Sequence, residues 1–159
     1  MVLHEDSRQQ AYKHENIKKY CQRHDIEIIR TKLLVGDYML SGPEFGGLKG
    51  DISVDTKYGV PELAMCCFQE HDRFRAECER AQRCGIKLII LTEEKLPGGR
   101  LDWWRSPIGL DGLPMHKFNP ETLRKVLITM QKEYGVMFRF CDWHSTGKQL
   151  IEYLTGVRK

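Results

Sequence analysis

The run Ile86-Lys87-Leu88-Ile89-Ile90-Leu91 constrains this chain more than any other stretch. It is apolar at nearly every position, and a strand of that kind has no face to turn to water. It needs a strand on either side and a covering layer above and below. In a chain of 159 residues, long enough for a real hydrophobic core, this means helices packed on both faces of a sheet. The remaining pattern supplies them. Residues 1–5 read as a first strand and residues 10–23 as an amphipathic helix with Tyr12, Ile17, Tyr20 and Cys21 inward. Residues 25–35 are rich in β-formers, and residues 38–40 resume as a strand after Gly36. Ser41-Gly42-Pro43 and Gly46-Gly47 mark a turn, from which residues 48–57 return as a strand. Pro61 opens a long helix reaching Arg83, with Gly85 beyond it. Residues 96–120, rich in Pro and Gly, form a long loop. Asn119-Pro120-Glu121 starts a helix that runs to Tyr134 and stops at Gly135. Residues 136–141 make a last strand, and Ser145 or Thr146 caps a final helix to about Leu154. The order β-α-β-β-β-α-β-loop-α-β-α describes one α/β domain over residues 1–159, a mixed sheet flanked by helices.

Several function classes drop out. No stretch of about 18 apolar residues is present, which argues against a membrane-spanning helix. The start, Met-Val-Leu-His-Glu-Asp, lacks a basic segment followed by an apolar run, as a secretory signal would have. None of the six cysteines forms a C-x-x-C pair, so buried, reduced thiols of a cytoplasmic protein are expected. The six histidines share no H-x-x-x-H spacing and read as surface or internally satisfied residues; His71 is the one nearest a motif described below. A net charge of +3 neither demands nor excludes nucleic acid.

The chemistry concentrates at two strand ends. Gly36-Asp37-Tyr38 follows one β-rich run, and Asp55-Thr56-Lys57 closes Asp51-Ile52-Ser53-Val54. A strand has a period of two, so Asp55 and Lys57 share a face. If the strands pair, Asp37 sits beside Asp55. Two carboxylates can then hold a divalent cation with an ammonium alongside, the arrangement a metal-dependent phosphodiesterase needs. The bland alternative is a turn residue at Asp37 and exposed strand-end residues at Asp55 and Lys57.

Taken in order, these motifs resemble the XPF-type nuclease domain (the ERCC4 domain), a branch of the PD-(D/E)xK fold. Asp6-Ser7-Arg8 resembles its first motif and Gly36-Asp37-Tyr38 matches its second. Val54-Asp55-Thr56-Lys57 stands where V-E-R-K is expected, and Asp72-Arg73-Phe74-Arg75 resembles its helix motif. The likeness is closest over residues 1–94. It departs in three ways: Asp55 stands for Glu, Thr56 for Arg, and Gln9 for a frequent Glu. The acid that follows the lysine is matched only by Glu62, one residue late. The resemblance implies a restriction-endonuclease-like sheet and a Mg²⁺- or Mn²⁺-dependent endonuclease for branched or structured DNA. Its expected product is a nick with a 5′-phosphate and a 3′-hydroxyl. Asp37, Asp55 and Lys57 would be catalytic, with Asp37, Asp55 and the Thr56 carbonyl on the metal. Asp6, Glu62 and Arg8 would support them, although Asp6 also reads as a helix-start cap.

DNA contacts are expected from Arg73 and Lys49, and Trp103 and Trp104 are candidates for stacking on an unpaired base. The resemblance also implies a homodimer through the C-terminal helices, or a protein partner. The chain ends at Lys159 without a tandem helix-hairpin-helix module, which reads as a stand-alone nuclease of the kind found on phages and mobile elements. A catalytically inactive DNA-binding scaffold and an RNA-processing nuclease of the same fold are the rival readings.

Overall fold

The structure is a computed structural model describing residues 1–42, 47–48 and 51–158. Among the described residues, seven strands form one sheet: β1 (Val2–Asp6), β2 (Glu27–Thr31), β3 (Tyr38–Gly42), β4 (Gly47–Leu48), β5 (Ile52–Lys57), β6 (Lys87–Glu93) and β7 (Met137–Cys141). The order across it is β2-β1-β3-β5-β6-β7, with β4 on β3. The β1/β2, β5/β6 and β6/β7 pairs are parallel; β1/β3, β3/β4 and β3/β5 are antiparallel. The mixed α/β sheet expected from the sequence is therefore present.

Strand β6 shows why the sheet is covered on both sides. Leu88 and Ile90 enter a core with α2 (Val60–Phe68), α3 (His71–Arg83) and α4 (Pro120–Tyr134). Ile89 and Leu91 enter the opposite core with α1 (Glu15–Arg23) and α5 (Thr146–Leu154). The period of two sends alternate residues to the two faces. Helix α4 begins as its sequence dictates: Asn119 Oδ1 accepts from Glu121 N at 2.9 Å and Thr122 N at 3.2 Å, and Pro120 occupies the first turn. Gly135 ends it with φ 69°.

Four expectations are corrected. Helix α1 starts at Glu15; residues 11–14 form a turn, Lys13 N donating to Gln10 O, and Tyr12 is exposed. The helix expected from Pro61 to Arg83 is two helices, broken where Gln69 N and Glu70 N both donate to Met65 O. The apolar positions Leu63, Cys67, Phe74, Cys78 and Ala81 keep helical spacing across the break, so periodicity could not reveal it. The β-rich run narrows to β2, an edge strand, while Leu33 and Val35 are buried in the segment leading to Gly36. Residues 96–120 are more ordered than a loop, with 3₁₀ turns at Pro97–Gly99 and Leu101–Trp103 and a bridge between Ile108 and Pro114. The turn between β3 and β5 lies largely outside the described residues.

Five of the six cysteines are buried and all are free. Burial pushes the Cys21 and Cys141 thiols up to about 11 and those of Cys67 and Cys78 up to about 12, so they are unreactive near neutrality. No described helix is long and apolar enough to cross a membrane.

Candidate active site

The site forms where β1, β3 and β5 end at the mouth of one cleft. Gly36 makes it possible. Its φ of 70° is left-handed, and a Cβ there would sit 2.2 Å from Ser53 Oγ. The tight turn delivers Asp37, whose N–H donates to Val54 O at 2.8 Å and whose carbonyl accepts from Asp6 N at 2.8 Å. Asp37 is thereby fixed between β1 and β5.

On β5, Asp55 and Lys57 point the same way, as the strand period requires. Lys57 Nζ reaches both Asp55 oxygens at 2.9 Å, and both residues are buried. Asp37 Oδ2 accepts from Thr56 N at 2.9 Å and Thr56 Oγ1 at 2.8 Å. The backbone N–H and C=O of one strand residue project to the same side. The Thr56 carbonyl therefore lies on the edge of β5 that faces Asp37. Asp37 and Asp55 line the same cleft, so the structure brings the two strand ends together.

Their titration is split. Burial pushes the Asp55 carboxyl well up, and the Asp37 charge adds to this against the opposing pull of Lys57. Asp37 is also penalised by burial, but the Thr56 N–H and the Lys57 ammonium outweigh it and hold the carboxyl below its ordinary value. Burial alone would lower Lys57; the charge and hydrogen bond of Asp55, with the Asp37 charge, together outweigh it and raise the ammonium, so it is a fixed cation. An opposite pair of shifts on neighbouring carboxyls is a mark of a functional site.

These groups open into a cleft of about 690 Å³. Its acids are Asp6, Asp37, Asp55, Glu62, Glu70 and Glu77, and its cations are Arg8, Lys13, Lys57, Arg73 and Arg80. The donors suit a hard divalent cation, which prefers carboxylate, carbonyl and water oxygens. Among the described residues no group of three or more His, Cys, Asp or Glu is placed to hold a metal. Asp37, Asp55 and the Thr56 carbonyl would hold such an ion and leave positions for water and phosphate.

The supporting candidates have definite roles. Asp6 closes β1 rather than capping a helix, and Arg8 grips it: Nη2 to Oδ2 at 2.6 Å and Nε to Oδ2 at 2.9 Å. Arg8 also donates to Leu33 O at 2.8 Å, tying β1 to the segment before Gly36. Glu62 sits at the cleft mouth, accepting from Tyr58 N at 2.6 Å and Lys13 Nζ at 3.2 Å. The Arg73 side chain is 85% exposed and lines the cleft with only a 4.0 Å contact to Glu70, so its charge is available to a phosphate. His71 is not among the residues lining the cleft; it lines a neighbouring depression at the junction of α2 and α3.

Trp104 does not fit the expected role. It is buried, stacks on Phe118 at 5.1 Å and 14°, and donates Nε1–H to Glu94. It anchors residues 96–120 to the α2/α4 core and presents no face to a base. Trp103 is exposed beneath the Arg100 guanidinium at 4.8 Å, outside the cleft. Lys49 lies outside the described residues.

The sequence reading missed two participants. Glu77 Oε1 accepts from Gly36 N at 2.9 Å and braces the turn that carries Asp37. Its signal was the polar stripe Arg73, Glu77, Arg80 at helical spacing on α3, all facing the cleft. His14, read among the satisfied histidines, is buried with Nε2 2.7 Å from Thr56 Oγ1. No local motif marked it.

Comparison with known proteins bears on this geometry. An ERCC4 domain model matches residues 6–154. The comparison with curated proteins finds no significant match. Among solved structures, XPF from Aeropyrum pernix superposes with a TM-score of 0.65 at 15% identity, over 100% of this chain and 66% of that one. The same protein in complex with DNA gives 0.62 at 17% identity, over 99% of this chain and 66% of that one. This chain thus spans slightly less than two thirds of those chains, and at such identity the likeness is one of fold.

Proposed function

The chain belongs to the ERCC4-domain family, and from that membership we propose that it is a Mg²⁺- or Mn²⁺-dependent endonuclease that nicks branched or structured DNA. One observation carries the reading. Asp37 and Asp55, with opposite shifts in proton affinity, meet at one cleft with the Lys57 ammonium held against Asp55.

Asp37, Asp55 and the Thr56 carbonyl would hold the divalent cation. When bound, the ion supplies Lewis acidity and lowers the pKa of a coordinated water. Asp37, already ionised, contributes full negative charge to the site. Burial raises the proton affinity of Asp55, and the Lys57 ammonium against both its oxygens favours its anionic form. Lys57 has three N–H donors, of which Asp55 engages two. The third is available to a phosphoryl oxygen, where negative charge develops as the phosphodiester is attacked. Arg73 and Arg8 meet the flanking phosphates, which position a strand without reading its bases. The DNA in the Aeropyrum pernix complex supports choosing DNA over RNA as substrate. A homodimer or a protein partner would complete the substrate surface, in a cytoplasmic setting consistent with free thiols.

The test is a nicking assay on flapped, forked and linear DNA, with RNA counterparts, in Mg²⁺, Mn²⁺ or EDTA. Asp55→Ala and Lys57→Ala should each lower single-turnover cleavage at least a hundredfold, and EDTA should abolish it. Undiminished cleavage in both variants would remove the mechanism. No metal-dependent cleavage by the wild-type chain would favour the scaffold reading, and preference for RNA would favour the processing nuclease.

A further inference from the structure

His14 has no part in the chemistry above, yet it is among the most enclosed polar side chains of the protein. It precedes the first turn of α1, with its side chain fully buried. Its ring lies 5.0 Å from that of Tyr58 and 6.1 Å from that of Tyr38, centroid to centroid. The hydrogen-bond directions around it can be counted. Thr56 Oγ1 carries one hydrogen and donates it to Asp37 Oδ2 at 2.8 Å. Its 2.7 Å contact with His14 Nε2 is therefore one in which the ring N–H donates and the hydroxyl accepts. On the far side, His14 Nδ1 faces Glu93 Oε1 at 3.8 Å, and that oxygen accepts from Asn16 Nδ2 at 2.8 Å.

The series Glu93, His14, Thr56, Asp37 spans β6, the start of α1, β5 and the start of β3, hydrogen-bonded from His14 through Thr56 to Asp37 and in 3.8 Å contact only between Glu93 and His14. Its outer end is an enclosed carboxylate and its inner end is a carboxylate in the cleft. We propose that His14 and Thr56 are positioning residues that set the orientation of Asp37 for a divalent cation. The inference rests on the reading of Asp37 as a metal-binding carboxylate.

A carboxylate held only by its backbone can rotate about the Cβ–Cγ bond. With Oδ2 taking two donors from Thr56, Asp37 is limited to one orientation, and Oδ1 is the oxygen Thr56 does not engage. The backbone N–H of Thr56 is fixed by the strand, but its hydroxyl is a rotor. Without His14 the hydroxyl hydrogen has other directions open to it. His14 occupies the accepting side of the oxygen and sends the hydrogen toward Asp37. Groups that orient a ligand in this way matter to metal affinity nearly as much as the ligand does.

The test is Mn²⁺ binding to the purified full chain without DNA, by calorimetry and by the electron paramagnetic resonance signal of free Mn²⁺. Thr56→Val keeps the backbone N–H and the side-chain shape but removes the hydroxyl. His14→Leu removes the donor. Each is expected to weaken Mn²⁺ binding about tenfold, whereas Thr56→Ser should stay within about twofold of wild type. If wild type binds Mn²⁺ and both Thr56→Val and His14→Leu bind it equally well, the positioning role is wrong and the metal reading stands. If wild type and Asp55→Ala both fail to bind Mn²⁺, the metal reading falls and takes this inference with it. Should His14→Leu fail to fold, Thr56→Val against Thr56→Ser decides the matter.

Discussion

Replacing Gly36 by alanine puts a methyl carbon 2.2 Å from Ser53 Oγ in a backbone conformation of φ 70°. The left-handed conformation alone costs a non-glycine residue about 1–2 kcal/mol, and the collision adds to it. Gly36→Ala should lose about 2–4 kcal/mol in urea denaturation and should lose cleavage as well, because Asp37 is the next residue. The two carboxyls give a prediction in pH. Asp37, held low, contributes stability that is present above its ordinary range and is lost as pH falls through its folded value. Asp55, pushed up, contributes stability below the ordinary carboxylate range that is lost as pH rises through its folded value. Lys57, raised from an already high value, stays protonated throughout and adds no slope. Above the ordinary carboxylate range, the melting temperature in EDTA should therefore fall with rising pH, and Asp55→Asn should flatten that fall. At Arg73, replacement by alanine should weaken DNA binding about equally for all sequences and lower the salt slope by about 1, read by fluorescence anisotropy.

The elements that hold the site meet at close quarters. Gly147 of α5 faces Tyr20 of α1 so tightly that a Cβ would lie 2.4 Å from the Tyr20 Cβ. Gly147→Ala should cost about 1–3 kcal/mol in thermal denaturation, as overpacking does. Trp104→Ala should cost about 3–5 kcal/mol by opening a cavity, whereas Trp103→Ala should stay within about 0.5 kcal/mol of wild type. Neither should act through lost base stacking. The same residues mark what could be read in advance. The strands carrying Asp37, Asp55 and Lys57 were legible because period-two alternation and a glycine turn are local signals. So was α4, through Asn119, Pro120 and Gly135. The burial of Trp104 was not legible, because it depends on Phe118 and Glu94 arriving from elsewhere. The pairing of Thr56 with His14 was hidden for the same reason, 42 residues separating them.

Across the whole molecule the sheet serves two cores at once, with β6 supplying side chains to each. The site lies at the ends of β1 and β5. A cation bound there acts on the global equilibrium, stabilising the folded state by about 2.7 kcal/mol at a hundredfold excess over its Kd. At about 2–4 °C per kcal/mol for a chain of this size, Mn²⁺ should raise the melting temperature by roughly 5–10 °C. Asp37→Ala and Asp55→Ala should each lose most of that rise. Glu94 takes the Trp104 indole N–H on one oxygen and the N–H of Val60, at the head of α2, on the other. Trp103 and Trp143 are about half exposed, leaving Trp104 as the sheltered indole. Its emission should therefore be blue-shifted from that of the two exposed indoles, a built-in optical gauge of the helix that borders the cleft, readable without attaching a dye.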